Sequence, residues 1–355
     1  METNLSARSK ETTHMKTQTL VLKLNSPAFL GDANQSSVWR TPPIKGLLRE
    51  WWRIASAPSF NYKHETMREA EGRLFGNAWL KDQFCKSQVR IALQHWRAGT
   101  MHQHIALAKI PHPEAEKAGK MVEPLNYLGY GPIDKGRFKN GAALQAGEKN
   151  SLDLAYPVIH QERIEQTLLL IDWFGTIGGR SRNAWGSLAL AQEPLTPNHP
   201  QLKSILREIK DCLRLDWPHA IGQDETGALL WESKDSFADW KEAMTFLAKT
   251  KIAFRTHLGF TTGKRSSQIE GRHIVAYPVT NHDVSDWGGQ ARIANQLRFK
   301  LFSDPGQGLR ARIYHTPHRC PLPSGMREGL ELAVWQKIHR WLDDQNSLQR
   351  LGAKK

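Results

Sequence analysis

The chain has 355 residues, of which 24% are charged, and a net charge of +14. This length gives two domains of ordinary size, each with its own core. Residues 1–190 contain 25 Lys/Arg against 17 Asp/Glu, and the remaining residues contain 24 against 18. A positive excess spread over the whole chain indicates a polyanion-binding surface, most simply for nucleic acid, rather than a localisation signal.

The composition also argues against several classes of protein. No apolar run reaches the length of about 18 residues that a transmembrane helix needs, and residues 1–15, predicted to be disordered, lack the apolar segment of a secretory signal. Cys85, Cys212 and Cys320 are odd in number and far apart, so neither a zinc site nor a disulfide framework is expected. We expect a cytoplasmic protein without membrane contact, metal or cofactor.

Residues 16–193 are predicted to form one domain. Leu20, Leu22 and Leu24 alternate with more polar positions, which predicts a half-buried strand. Helix patterns follow at 41–53, 65–80 and 161–177, strand patterns at 89–93, 152–158 and 187–192, and a loop-rich insertion at about 101–150. This order, strand–helix–helix–strand, insertion, strand–helix–strand, is typical of a split βαβ, ferredoxin-like domain.

Residues 199–355 are predicted to form a second, more helical domain, and the prolines at 194, 197 and 200 mark the boundary. Helix patterns lie at 202–213, 235–249 and 330–342, and strand patterns at 274–279, 296–302 and 310–315. The expected fold class is therefore α+β: two ferredoxin-like (RRM-like) domains whose antiparallel sheets are backed by helices.

The segment 41–53 is predicted to be a helix with a basic stripe. Its apolar residues fall on one arc, and Lys45, Arg49 and Arg53 follow one another at four-residue steps beside that arc. The three cations span about 12 Å, which suits about two phosphates. An ordinary solvated helix face is the alternative. Trp52, Trp185 or another aromatic residue would stack on bases, unless these tryptophans belong to the core.

A glycine-rich loop follows the predicted buried helix. Glycines let backbone N–H groups approach a polyanion, and arginines supply bidentate phosphate contacts. The loop lacks the ending of a P-loop and follows a helix rather than a strand, which argues against nucleotide-binding motifs. A turn with two exposed arginines is the alternative. The candidate residues are three structural glycines and three polar residues: Gly178, Gly179, Gly186, Arg180, Ser181 and Arg182.

Six short segments share a recognisable pattern in this order: 29–35 (FLGDANQ), 43–46, 48–53, 74–76, 127–131 and 178–186. They resemble the motifs of the RAMP superfamily of CRISPR-associated RNA-binding proteins. The resemblance is nearest to the Cmr-module subunit that lies at the guide's 3′ end in type III-B effector complexes. It covers most of the first domain, and the second domain resembles the family only around residues 271–278.

The resemblance implies a non-catalytic subunit of an antiviral ribonucleoprotein. This subunit would bind the 3′ region of the guide RNA (crRNA), border the paired target RNA, and assemble with other RAMP subunits and a large polymerase-like subunit. Base pairing between guide and target would then supply sequence discrimination. The RNA-binding candidates, from the charge pattern and the resemblance together, are Lys45, Arg49, Trp52, Arg53, Arg180, Ser181, Arg182, Lys264 and Arg265.

Two other functions remain open. In related RAMP subunits an aspartate in the loop after the first strand cuts target RNA. Asp32 occupies that loop here, although its neighbours resemble the capping type of subunit. A metal-free RNase would instead use a histidine with a Lys or Tyr as acid–base partner. By either route the chain would be a RAMP endoribonuclease, which cuts target RNA through Asp32 or processes the guide through a histidine. A single-strand RNA-binding protein outside CRISPR is the third reading. The histidine candidates are His64, His95, His102, His104 and His160.

Overall fold

The computed structural model describes residues 14–353, apart from 79–83, 104, 116–118, 140, 262–267, 281, 288–290, 305 and 321–328. The first half contains β1 (Met15–Leu24), α1 (Thr41–Ser56), α2 (His64–Phe75), β2 (Arg90–Leu93), β3 (Ile110–Pro111), β4 (Met121–Val122), α3 (Pro124–Gly129), β5 (Ile133–Asp134), β6 (Arg137–Phe138), β7 (Lys149–Pro157), α4 (Gln161–Phe174) and β8 (Leu188–Ala189). The second half contains α5 (Pro200–Lys203), β9 (Leu206–Glu208), α6 (Ile209–Cys212), β10 (Ile221–Asp224), β11 (Gly227–Ala228), β12 (Leu230–Ser233), α7 (Trp240–His257), α8 (Gly271–Val275), β13 (Leu297–Asp304), β14 (Gly308–His315), α9 (Leu330–Asp343) and β15 (Leu348–Arg350).

The sheet of the first half has the strand order β2–β7–β1–β8, and all its neighbouring strands are antiparallel. The two units β1–α1–β2 and β7–α4–β8 interleave in this sheet, which is the split βαβ arrangement. Leu20, Leu22 and Leu24 of β1 are buried under the helices, as their alternation predicted.

The sheet of the second half repeats the same plan. The chain runs β12–α7–β13–β14–α9–β15, and the strand order is β13–β14–β12–β15, again with antiparallel neighbours. Phe299, Leu301 and Ile313 point into the core under α7 and α9. The predicted α+β class with two ferredoxin-like antiparallel sheets is confirmed. The domain limits at 193 and 199 stay a prediction.

The second sheet also binds the end of helix α4. Lys300 Nζ donates hydrogen bonds to the carbonyls of residues 171 and 172 at 2.9 and 2.5 Å. Arg312 Nη1 donates to the carbonyl of residue 173 at 2.6 Å, and Tyr314 Oη to that of residue 174 at 2.7 Å. The last carbonyls of a helix lack intrahelical partners. Three strand residues of the second half therefore bind the C-terminus of a helix of the first half.

Some predicted elements differ from the structure. The helix predicted at 65–80 ends at Phe75, because Gly76 has a φ of +83° and a Cβ there would lie 2.8 Å from the backbone nitrogen of Ser87. The predicted disordered end extended to residue 15, but Met15 already belongs to β1, where it pairs with Pro157. Residues 1–13 lie outside the described part of the chain.

Two predictions in the second half are wrong. Residues 202–213 form the end of α5, β9 and α6 rather than one amphipathic helix, and β9 pairs in parallel with β10. Residues 274–279 are not a strand, because 271–275 form α8 and only Tyr277 and Val279 make isolated bridges beyond it. Short apolar runs fit helix and strand patterns equally well, so contacts with residues distant in the chain decide which of the two forms.

The insertion contains short ordered elements as well as loops. Two small hairpins, β3–β4 and β5–β6, flank helix α3. The carboxylate of Glu123 caps this helix by accepting hydrogen bonds from the backbone of Leu125 and Asn126. Helix α3 lies against α7, so the insertion bridges the two halves beside the glycine-rich loop.

Candidate nucleic-acid interface

Helix α1 packs by its apolar face on α4. Trp51 is 1% exposed, and its ring stacks on Phe174 with a centroid distance of 5.4 Å and an interplanar angle of 20°. The buried arc is the one that the sequence predicts: Ile44, Leu47, Leu48, Trp51, Ile54 and Ala55.

Trp52 belongs to the core. It is 4% exposed and lies between the rings of Phe60 and Phe75, at centroid distances of 6.3 and 6.0 Å. Trp185 is fully buried as well, and its ring contacts Phe29 at 4.9 Å. Neither tryptophan has a free ring face for a base, so base stacking by Trp52 is corrected to core packing.

Arg49 and Arg53 share one buried carboxylate. Arg49 Nε lies 2.5 Å from Glu71 Oε1, and Arg53 Nε lies 2.7 Å from Glu71 Oε2. Burial favours a higher pKa for Glu71, but hydrogen bonds from Arg53 and then Arg49 outweigh it and lower the pKa. The predicted stripe is therefore largely an internal ion cluster between α1 and α2. Its two guanidiniums are 28% and 40% exposed, and neither has all its donors free for phosphate.

Lys45, in the first turns of α1, is the free member of the predicted stripe. It is half-buried, and none of the described residues forms an ion pair or side-chain hydrogen bond with it. Burial, followed by the neighbouring charge of Arg49, lowers its pKa. Only this one cation of α1 is left for an external anion.

The glycines of the loop are required by the conformation of its own backbone. Gly178 has a φ of +92°, and a Cβ there would lie 2.5 Å from the carbonyl oxygen of Phe29. Gly186 has a φ of +65°, and a Cβ there would collide with the carbonyl oxygen of Ile177. Gly179 donates its N–H to the carbonyl of Phe29 at 2.9 Å. These glycines let the loop fold back against residues 27–30, and they do not line an open backbone cradle.

Arg180 is presented at the tip of this loop. It is exposed and has a φ of +56°, a backbone conformation that few residues other than glycine adopt. Its guanidinium lies over Gly131, where an added Cβ would be 3.0 Å from Nη2. Ser181 is half-buried, and its carbonyl accepts the N–H of Ala184 at 3.1 Å. The loop therefore directs Arg180 toward the 127–131 segment.

Arg182 points to a different place. Its Nη1 donates to the carbonyl of Asn295 at 3.4 Å, and its own carbonyl accepts the N–H of Phe299 at 3.0 Å. Burial, and then the nearby charge of Arg298, lowers the pKa of Arg182. Arg298 is buried and paired with Glu50 of α1. Arg182 thus lies near α1. The glycine-rich loop and α1 meet through Glu50 and Arg298, however, rather than through Arg49 or Arg53.

Asp32 closes its own loop. Its Oδ1 accepts the backbone N–H groups of Asn34 and Ser36 at 2.8 and 2.9 Å. Among the described residues no set of three His, Cys, Asp or Glu could hold a metal ion. The visible role of this carboxylate is therefore to stabilise a turn.

The candidate histidines do not form a catalytic pair in the part of the chain that is described. His64 lies beside Trp217 at a centroid distance of 5.6 Å, and burial lowers the pKa of His160. His95 is half-buried and His102 is exposed. Three predicted residues lie outside the described positions: His104, Lys264 and Arg265.

One family model matches most of the first half of the chain. The model of the RAMP superfamily matches residues 21–189, a little less than half of the chain. This stretch is therefore similar to the RAMP superfamily. The predicted resemblance is thereby confirmed for this stretch, named the RAMP region from here on. It contains helix α1, the 127–131 segment and the glycine-rich loop.

Solved structures of similar fold cover nearly the whole chain. Cmr1 from Pyrococcus furiosus, in its apo form, aligns with a TM-score of 0.49 and 15% identity over 94% of this chain and 98% of that chain. A chain of Type III-B Cmr-beta bound to cognate target RNA aligns with a TM-score of 0.47 and 12% identity over 92% and 99%. No curated protein matches the chain. None of the described helices is long and apolar enough to span a membrane.

Sequence reasoning missed two basic residues beyond the RAMP region. Lys251 and Arg255 stand one helical turn apart near the end of α7, which continues to His257, whereas the sequence pattern predicts that this helix ends at Lys249. Lys251 Nζ donates to Asn183 Oδ1, in the glycine-rich loop, at 2.8 Å. The four-residue spacing of Lys251 and Arg255 could have indicated this pair from the sequence. It places both residues on one helix face only because α7 continues past Lys249.

Proposed function

We propose that the chain is an RNA-binding, non-catalytic subunit of a type III-B, Cmr-type CRISPR effector complex. It would bind the 3′ region of the guide RNA, border the target RNA duplex, and act in the cytoplasm. Its other partners would be further RAMP subunits and a large polymerase-like subunit. The match of the RAMP region to the family model and the Cmr-type pattern of its six motifs support this assignment.

One observation carries the RNA-binding part of the proposal. Arg180 projects, exposed, from the glycine-rich loop of the RAMP region, and no described carboxylate forms an ion pair with it. A cation without a protein counter-ion retains its full interaction with an external phosphate. The excess of positive charge over the whole chain supports the same ligand class.

The proposal is tested by RNA binding of the double variant Arg180→Ala, Arg182→Ala. We expect its affinity for single-stranded RNA to fall by at least about tenfold at low salt, because the charge-assisted contact of Arg180 and the nearby positive charge of Arg182 are removed. Fluorescence anisotropy with a labelled oligonucleotide gives the affinity, and the thermal unfolding midpoint shows that the fold is retained. The matched control is Lys203→Ala, Lys210→Ala, which removes two exposed cations from α5 and α6.

RNA that co-purifies with the chain from its native host tests the guide-binding part. We expect sequences that share one constant, repeat-derived end. RNA of random sequence would leave an RNA-binding protein but contradict the CRISPR assignment. Equal affinity of the double variant and the wild type, with equal thermal stability, would contradict the loop assignment.

A further inference from the structure

A group of three cations lies where the glycine-rich loop meets helix α7: Arg180, Lys251 and Arg255, here called the basic cluster. Lys251 is buried, with 9% of its surface exposed. Besides the bond to Asn183, its Nζ lies 5.6 Å from the centre of the Tyr127 ring. Arg255 also lies close to Tyr127, because its charge acts to lower the pKa of that hydroxyl, against the larger rise that burial causes.

The basic cluster has no counter-ion among the residues that the structure describes. In the described part of the chain, no carboxylate forms an ion pair with any of its three members. Glu114, which lies beside Tyr127, is already paired with the buried Arg272. Burial lowers the pKa of Lys251 to about 7, and the charges of Arg255 and then Arg180 contribute in the same direction. Three close cations without an acid form a site that an anion would stabilise.

An exposed aromatic ring stands next to this cluster. Tyr130 is 71% exposed, although large aromatic residues in this chain are mostly buried. It immediately precedes Gly131, over which the guanidinium of Arg180 lies. An exposed ring beside phosphate-binding cations is the arrangement that single-strand binding proteins use, because every base has a face on which it can stack.

We propose that the basic cluster binds one phosphate group of single-stranded RNA and that Tyr130 stacks on an adjoining base. The two arginines supply planar pairs of donors for the phosphate oxygens, and Lys251 adds a point charge. The RNA path would therefore leave the RAMP region and continue onto α7 of the second half. The choice of RNA over another polyanion rests on the proposed function.

The test compares variants of the basic cluster with a control on the same helix. Arg255→Ala removes a half-exposed cation, and Lys251→Met removes the buried charge while keeping the length of the side chain. Lys249→Ala is the matched control, because Lys249 is exposed two residues away and belongs to another face of α7. The probes are a fluorescent single-stranded uridine oligonucleotide and inorganic tripolyphosphate.

We expect Arg255→Ala and Lys251→Met each to weaken binding of both probes about tenfold at low salt, while Lys249→Ala changes it less than about twofold. Each of the two should also reduce the salt dependence of RNA binding by about 0.7 in log–log slope. Tyr130→Ala should weaken RNA binding about tenfold and leave tripolyphosphate binding unchanged, whereas Tyr130→Phe retains RNA binding.

The outcomes separate this inference from the proposed function. Suppose that Arg255→Ala binds RNA as well as Lys249→Ala does, while the double variant Arg180→Ala, Arg182→Ala still has reduced RNA affinity. The proposed role of the basic cluster would then be wrong, and the proposed function would stand. If tripolyphosphate binds through Arg255 but the wild type binds no RNA, the proposed RNA site and the proposed function are both overturned. Only an anion-binding site would then remain. Arg255→Ala keeps the test valid if Lys251→Met fails to fold.

Discussion

Helix α1 and the end of helix α7 carry the same kinds of side chain but differ in free charge. On α1, Arg49 and Arg53 both bind the carboxylate of Glu71. On α7, Lys251 and Arg255 face Arg180 with no described carboxylate bound to them. The helix whose sequence shows the clearer basic stripe is the one in which two of the three cations are bound to a carboxylate.

This difference shows what decides whether a cation is available to a ligand. Two arginines that share one carboxylate keep a net charge, but their donors are committed and their positions fixed. A cation without a partner pays the desolvation cost of burial and regains it when an anion binds. A count of basic residues along each helix would therefore predict more free positive charge on α1 than at the end of α7, which is the reverse of what the structure shows.

Lys300 is a buried cation that uses all three of its donors within the protein, and it contrasts with the basic cluster. Lys300→Met keeps most of the side-chain volume but leaves the carbonyls of residues 171, 172 and 188 without their donor. We expect the free energy of unfolding to fall by about 3 kcal/mol, because buried carbonyl acceptors lose their hydrogen-bond donor. Urea unfolding measures the change.

The control for Lys300 is Lys149→Met, at an exposed position of β7. It should alter stability by less than about 0.5 kcal/mol. A Lys300 variant as stable as this control would show that the carbonyls at the end of α4 find other partners, and the junction between the halves would then not depend on Lys300.

Removal of the shared carboxylate tests the neutralised side of the comparison. Glu71→Gln leaves Arg49 and Arg53 without a counter-charge, and we expect a loss of about 2 kcal/mol, less than for a fully buried pair because both arginines are partly exposed. RNA affinity should change less than about twofold. Glu69→Gln, on the same helix and 51% exposed, is the control. A large gain in RNA affinity would show that α1 is a masked RNA surface.

The pH dependence of RNA affinity tests the basic cluster, whose cations have no described carboxylate partner. The pKa of Lys251 is lowered to about 7, so the group is charged below that pH and increasingly neutral above it. Burial raises the pKa of the neighbouring Tyr127, so its hydroxyl stays neutral over this range. We expect affinity to fall about fivefold as the pH rises from about 6 to about 8.5.

The same titration of the Lys251→Met variant isolates this effect from the histidines, including His112, whose ring lies 5.5 Å from that of Tyr127. Its affinity should be lower at about pH 6 and nearly independent of pH over the same range. Parallel curves for the variant and the wild type would contradict a role for the Lys251 charge.

The smallest effect is expected for Arg49→Ala. Because its guanidinium is bound to Glu71, its loss should change RNA affinity less than about twofold, whereas Arg255→Ala is expected to cost about tenfold. Competition binding with one labelled RNA for both variants gives the ratio directly. A larger effect at position 49 than at position 255 would reverse the comparison.

Local pattern predicted much of the fold. Alternation placed β1 and β2, helical periodicity placed α1 and α9, and an apolar run of helix length placed α4. The order of the elements indicated the split βαβ plan of the first half. Predictions failed where a local signal was ambiguous. The runs at 202–213 and 274–279 are short and apolar, and Gly76 stops a helix whose pattern continues to residue 80.

The sequence also identified the glycine-rich loop and Arg180, because glycines and arginines in one short turn are a local feature. It could not assign Trp52 to the core or Arg49 and Arg53 to Glu71, since Glu71 lies 22 and 18 residues away and belongs to another helix. Nor could it bring Lys251 to Asn183, which is 68 residues distant.

The sequence by itself determined the α+β class, the family motifs and the positive charge, all of which depend on residue identity and short-range spacing. The tertiary structure alone decided which cations are neutralised and which remain free. The reason is physical: the energy of a charge depends on its burial and on the atoms within a few ångströms of it, and residues far apart in the chain supply those atoms.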